Sequence, residues 1–131
     1  MSKILYIDDE IYITHSLCKN LTSIYGFKVD LITDYRKFEN ELQKGYDCIM
    51  LDVMMPILPS FFTTDELLTI KSESKVGVVL FNKIRKLYPK IPILFYSAIS
   101  SIECDEYSAF LRKPELAKNI ADNLKLLIER S

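Results

Sequence analysis

Short, nearly continuous apolar runs alternate along this chain with longer stretches in which apolar residues recur every three or four positions. Lys3 to Ile7 (KILYI), Phe27 to Ile32, Cys48 to Leu51 (CIML), Ile91 to Tyr96 (IPILFY) and Tyr107 to Leu111 (YSAFL) read as strands covered on both faces. Ile13, Leu17, Leu21 and Ile24 make a helical stripe that Gly26 stops. Tyr35, Phe38 and Leu42 make a second, which Thr33 or Asp34 can cap and Gly45 closes. Val76, Leu80, Ile84 and Leu87 form another, ended by Pro89. The last joins Leu116, Ile120, Leu124, Leu127 and Ile128, with Pro114 suited to its first turn.

The pattern loosens after Cys48–Leu51. Pro56 and Pro59 interrupt it, and Phe61-Phe62 is an aromatic pair. Thr63, with Glu66 three residues later, forms a capping box, so a helix is predicted to start there. Its passage beyond Ser72, Ser74 and Gly77 is left open by the pattern.

Strand and helix thus alternate five times, which predicts an α/β fold built from parallel βαβ units with right-handed crossovers. Five units in 131 residues suggest a flavodoxin-like (βα)5 architecture, a five-stranded parallel sheet in order 2-1-3-4-5 with helices on both faces. Ligands of such sheets sit beyond the carboxyl ends of the strands, at the switch point between strands one and three.

Composition narrows the function classes. Lys plus Arg (17) nearly balance Asp plus Glu (18), so net charge supplies no field for nucleic acid or an anionic membrane. No apolar run reaches membrane-spanning length, and the N-terminus lacks a signal-peptide layout. Cys18, Cys48 and Cys104 have no CxxC spacing and are odd in number, which reads as reduced thiols in a cytoplasmic protein.

The chemistry-bearing residues gather at strand ends. Asp8 and Asp9 follow the first strand, Asp52 the third, Ser97 the fourth and Lys113 the fifth, and the predicted topology points all five into one pocket. Each alone has an ordinary reading: a helix cap, a turn residue, a solvated hydroxyl, a surface charge. Their joint order at four successive switch-side positions is what carries weight. Two carboxylates about 4 Å apart repel by roughly 4 kcal/mol at an effective dielectric of 20, so converging acids call for a cation.

The Asp8-Asp9 pair, Asp52 with Met55-Pro56 behind it, Ser97-Ala98 and Lys113-Pro114 together resemble the response-regulator receiver domain of two-component and phosphorelay signalling, along essentially the whole chain. The resemblance implies a single receiver domain over residues 1–131 that accepts a phosphoryl group on Asp52 from a sensor histidine kinase or histidine phosphotransfer protein. It implies a Mg²⁺ site made by Asp9, Asp52 and the backbone carbonyl of Met54, with Asp8 acting through water. Lys113 would neutralise charge, Ser97 would read out the phosphate, and Phe110, three residues before Lys113, stands where receivers carry a switch aromatic. A core place in the fifth strand is the equal alternative for Phe110.

The same resemblance implies a switch rather than a conventional enzyme, with output through binding of an unknown downstream protein and direct contact with neither nucleic acid nor membrane. A second copy of the chain is left open as a partner. An interaction module independent of phosphorylation is the alternative function. A dehalogenase-type phosphatase, which also uses an aspartyl nucleophile, needs a second Asp two positions on, where Met54 stands. No GxxxxGK[ST] or GxGxxG loop supports nucleotide binding.

Two departures from the family pattern stand out. Receivers carry a glycine shortly after the proline that follows the acceptor Asp, whereas here the candidate is Gly77, 25 positions beyond Asp52. That predicts an insertion, about 57–75, between strand three and helix three. Conversely, Ile99 to Glu106 can hold at most about two helical turns, so helix four, between strands four and five, is expected to be short or absent. The insertion's Phe61, Phe62, Leu67, Leu68 and Ile70 read either as a docking patch or as residues packed onto the domain. With the last helix ending near Ser131, the expectation is no output domain behind it; a stand-alone receiver and a piece of a longer protein fit equally.

Overall fold

The computed structural model describes residues 1–73 and 75–130, with backbone alone at Ile11, Ile13, Ser72 and Glu73. The predicted stripe position of Ile13 and the helix continuation through Ser74 therefore lie outside the described residues. The elements are β1 (Lys3–Ile7), α1 (Ile11–Ser23), β2 (Lys28–Ile32), α2 (Phe38–Leu42), β3 (Cys48–Leu51), α3 (Thr64–Glu73), α4 (Val76–Leu87), β4 (Ile93–Ser97), β5 (Ser108–Arg112) and α5 (Ala117–Arg130). Short 3-10 turns precede α2 (Tyr35–Lys37) and α3 (Pro59–Phe61). The five strands form one parallel sheet in the order β2-β1-β3-β4-β5, as the alternating pattern predicts.

The two-residue period of each strand sorts its side chains onto two cores. Leu5, Ile7, Ile49, Leu51, Ile93 and Phe95 face Phe38 and Leu42 of α2 and Val79, Leu80 and Ile84 of α4. Ile4, Tyr6, Cys48, Met50, Leu94 and Tyr96 face Leu21 of α1 and Ile120, Ala121, Leu124 and Leu127 of α5. Each fully buried Leu, Ile or Phe contributes about 1.5–3 kcal/mol, so both faces are needed to hold the sheet.

Several boundaries move for identifiable reasons. β4 begins at Ile93 rather than Ile91, because Pro92 has no N–H and joins the sheet only through its carbonyl, which accepts from Ile49 at 2.9 Å. α1 ends at Ser23, leaving Ile24 exposed. α5 begins at Ala117, not in the turn of Pro114; just ahead of it the Glu115 carboxylate accepts from the Leu116 N–H (2.8 Å) and from the Asn119 side chain (2.7 Å). Leu116 is consequently 70% exposed instead of belonging to the apolar face. Of the cysteines, Cys48 is buried and Cys18 only half-buried, while Cys104 is exposed; all three are free thiols. Burial pushes the Cys48 thiol up to about 12, so it stays protonated and inert.

The insertion packs down. Thr63 and Glu66 make the predicted capping box, each side chain accepting from the other's N–H (3.1 and 2.9 Å). Phe62 and Ile70 are buried in the α2–α4 core, and Phe61 stands edge-on to Tyr35, Phe38 and Phe62 with centroids 5.0–6.1 Å apart. Leu67 is half-buried against the same core and Leu68 is exposed. β4 connects to β5 through Ala98–Tyr107 without a helix. The Arg85 guanidinium ties that segment down, donating to Asp105 (2.6 and 3.1 Å) and to the carbonyls of Ile91 (2.6 Å) and Tyr107 (3.2 Å).

Candidate functional site

Backbone pairing runs one residue beyond three strands and sets the site. The N–H of Asp8 donates to Ile32 O (3.2 Å), that of Asp52 to Ile7 O (3.0 Å) and that of Lys113 to Ser97 O (2.8 Å). These three residues are thus held by the sheet itself, while their side chains stand at its carboxyl edge. Ser97 closes β4 and is fully buried there.

The side chains converge as predicted. Ser97 Oγ donates to Asp52 Oδ1 at 2.6 Å, and the Val53 N–H donates to the same oxygen at 2.8 Å. Lys113 Nζ donates to Asp8 Oδ2 at 2.6 Å and to Asp52 Oδ2 at 3.4 Å, with the ammonium 5.6 Å from the centre of the Tyr96 ring. The peptide between Lys113 and Pro114 is cis. Asp8 and Asp52 are almost wholly buried, and the Lys113 side chain is only 13% exposed.

Electrostatics follow from that crowding. Asp8, Asp9, Glu10 and Asp52 each offer an oxygen, all within 4.8 Å of one another. A pair of charges at that distance repels by about 3.5 kcal/mol at an effective dielectric of 20, against the single cation of Lys113. Burial, joined by the Asp8 charge, lifts the Asp52 carboxyl above the usual aspartate range despite the pull of Ser97 and Lys113. Burial by itself would lower Lys113; its bond to Asp8 and the charges of Asp52 and Asp8 outweigh that and raise it.

The residues present fit a hard divalent cation. Asp9 Oδ1 is buried with no hydrogen-bond partner, which costs free energy unless something positive meets it. An orphaned carboxylate oxygen beside three further carboxylates suits Mg²⁺, which takes one or two carboxylates and keeps several waters. Met54 lies in the loop directly after Asp52, 49% exposed.

Phe110 pairs in register with Phe95 and is half-buried against the α4 side of the sheet, a core position in this structure. His15, Lys125 and Arg130 are exposed helix residues. Several contributors were not singled out by sequence reasoning. Glu10 joins the acidic group. The Tyr35 hydroxyl donates to Pro56 O (2.8 Å) and accepts from Leu58 N–H (2.9 Å), clamping the loop behind Asp52. Tyr6 donates to Asp8 Oδ2 at 3.0 Å; its place two residues earlier on the same strand face is the signal that could have found it. Gly77, by contrast, was the candidate glycine of the sequence, and it opens α4 against the Asp52–Val53 backbone: its N–H donates to Val53 O (3.0 Å), and a Cβ there would come within 2.4 Å of Asp52 O and 2.5 Å of Val53 Cα. Gly77 therefore stands in direct contact with the loop after Asp52, at the far end of the insertion.

With this geometry in hand, known structures give a consistent match. A Francisella response-regulator receiver domain superposes with a TM-score of 0.71 at 22% identity, over 99% of this chain and 98% of its own. A receiver domain from Clostridium thermocellum gives 0.74 at 21%, covering 99% and 96%. The response regulator TrrA of Thermotoga maritima, solved in complex with Mg²⁺ and BeF, gives 0.72 at 22%, covering 97% and 99%. The fold is that of the response-regulator receiver domain. Among curated proteins, a transcriptional regulatory protein CpxR homolog of Haemophilus influenzae is 35% identical over 80 residues, 61% of this chain. The chain matches about a third of that regulator's length, 34%. No family model matches the sequence. Among the described residues no helix is long and apolar enough to cross a membrane.

Proposed function

We propose that this receiver-fold chain is a phosphoryl-accepting signalling switch, with Asp52 as acceptor. The observation that carries the reading is the buried Asp52 carboxylate held between the Ser97 hydroxyl and the Lys113 ammonium, beside Asp9 with its unpartnered oxygen. The donor is a phosphohistidine on a sensor kinase or phosphotransfer protein. An Asp52 oxygen attacks phosphorus, the bond to the histidine nitrogen breaks, and that nitrogen leaves with the electron pair. Little covalent assistance is required of the protein; alignment and charge neutralisation do most of it.

Asp9 and Asp52, with the Met54 carbonyl, would hold Mg²⁺, and Asp8 would reach it through water. When bound, the ion supplies positive charge to phosphoryl oxygens that would otherwise meet four carboxylates. Lys113 brings the protein's own cation to the same oxygens. Ser97 then passes its hydroxyl from Asp52 Oδ1 to a phosphoryl oxygen, which draws the β4 end inward. A phosphoryl group adds about −1.5 to −2 charge and three acceptor oxygens, enough to bias such a loop. Phe110 either swings inward with the Ser97 hydroxyl or stays as a core residue of β5. The output is binding of a downstream protein, and the free thiols support a cytoplasmic setting.

Intact mass after incubation with acetyl phosphate and Mg²⁺ tests this. One added phosphoryl group is expected, lost on chelation and in Asp52→Asn. Equal labelling of that variant would overturn the assignment. Ser97→Ala should still label but show smaller phosphate-induced chemical-shift changes than wild type.

A further inference from the structure

Asp8 is a fully buried carboxylate held by three donors. Its Oδ1 accepts from the Glu10 N–H at 2.9 Å, and its Oδ2 accepts both from Lys113 Nζ at 2.6 Å and from the Tyr6 hydroxyl at 3.0 Å. The carboxylate is fully enclosed, so a donor that departs is not replaced from bulk solvent. Lys113 is shared unequally, short to Asp8 and longer, 3.4 Å, to Asp52. A phosphoryl group on Asp52 places new negative oxygens on the far side of that longer contact. The ammonium must then move away from Asp8, and a buried carboxylate oxygen that loses its donors is costly.

Tyr6 remains behind when Lys113 moves. Its ring is wholly buried in the core between the sheet and helices α1 and α5, so the hydroxyl is anchored from below and does not travel with the lysine. A phenolic hydroxyl carries its own proton, so it remains available as a donor where it stands.

We propose that Tyr6 is a positioning residue that keeps Asp8 satisfied and thereby frees Lys113 to transfer from Asp8 to the phosphoryl group. This rests on the acceptor role of Asp52 and deepens it. Tyr6 touches neither phosphorus nor metal; it acts through Asp8 on Lys113. Without the hydroxyl, Asp8 has only the Glu10 amide and Lys113, and it holds the lysine more tightly. A side chain needed only for volume would be replaced by Phe at no functional cost.

The test compares wild type with Tyr6→Phe, titrated with Mg²⁺ alone and then with Mg²⁺ plus beryllofluoride as the phosphoryl mimic, followed by NMR. Loss of one hydrogen bond to a charged group predicts beryllofluoride binding weaker by about ten-fold. Mg²⁺ binding alone should change less, because Lys113 does not have to move for it. A purely structural role would lower both affinities together with the melting temperature, and that result, or beryllofluoride affinity equal to wild type, overturns the proposal. A measurement on the unaltered protein stands beside it: the Tyr6 ring carbon bearing the hydroxyl should shift when beryllofluoride binds, since its acceptor loses Lys113. An unmoved resonance counts against the proposal even if Tyr6→Phe fails to fold. Wild type that takes up neither acetyl phosphate nor beryllofluoride would instead sink the acceptor reading itself, and this one with it. Uptake by wild type and Tyr6→Phe alike sinks only the role of Tyr6.

Discussion

Between β3 and β4 the chain places two helices; between β4 and β5 it places none. The first connection thickens the cover of the sheet, adding Phe62 and Ile70 to a core that α2 and α4 already build. The second leaves a cleft of about 670 Å³ between α4 and the 102–105 segment, floored by Phe81 and Phe95. One side is held by a broad apolar area, the other by the Arg85 guanidinium with Ile99 and Ile102 resting on the core. The difference teaches that the Asp52 pocket depends on what pins its loops rather than on how many helices lie over the sheet. Asp52, Ser97 and Lys113 meet correctly although the elements flanking β4 depart from the expected plan in both directions.

The strongest way to break the contrast is at the pin that serves the thick side. Gly77→Ala drives a methyl group into the Asp52–Val53 backbone, which cannot yield as a flexible side chain would. We expect destabilisation of about 3 kcal/mol or more, a melting temperature lower by roughly 10 °C, and slowed labelling of Asp52. Unchanged melting and labelling would show that the close approach is not maintained in solution.

Next comes the aromatic cover. Phe62→Ala should cost about 3 kcal/mol through the cavity it leaves among Tyr35, Phe61 and the α4 residues. Acetyl-phosphate labelling of the folded fraction should persist. If instead stability held and self-association changed, the pair would belong to a docking surface after all.

A smaller effect is expected on the thin side. Arg85→Ala removes the tie to Asp105, Ile91 and Tyr107, and should cost about 1–2 kcal/mol. Its signature is local: faster amide exchange over 99–107, with little change around β3.

The smallest prediction concerns pH. The Arg85 bond to Asp105 holds that carboxyl below the ordinary aspartate range. A depressed native value means the stabilisation is present above the unfolded pKa, about 3.9, and fades as pH falls through the lower folded value. With Asp105 partly exposed, the contribution is under about 1 kcal/mol. Urea melts of wild type and Asp105→Asn should therefore differ near neutral pH and converge in acid. Parallel curves across the whole range would remove the ion pair from the account.

How much of this was legible beforehand depends on the range of the interaction involved. β1 and β3 were readable residue for residue, because KILYI and CIML are bounded by acids and turns. The gathering of Asp8, Asp9, Asp52, Ser97 and Lys113 was readable too, since parallel pairing sends every strand's carboxyl end to one edge. The missing helix between β4 and β5 followed from simple length. What stayed hidden were contacts whose partners lie far apart in sequence: Tyr35 on Pro56 and Leu58, Arg85 on Tyr107, Gly77 on Val53. Local periodicity describes which face a residue occupies, not which distant carbonyl it will meet. Leu116 misled because α5 starts one residue after it.

Tyr35 and Gly77 together bracket the segment between Pro59 and Lys75. One fastens its entry at Pro56 and Leu58, and the other fastens its exit at Val53. With both ends fixed to the same short stretch of backbone, a change of length in between adds only a loop-closure penalty of about 0.6 kcal/mol per doubling. The segment can therefore change in length without resetting the position of Asp52, provided that Phe62 and Ile70 keep their places in the core.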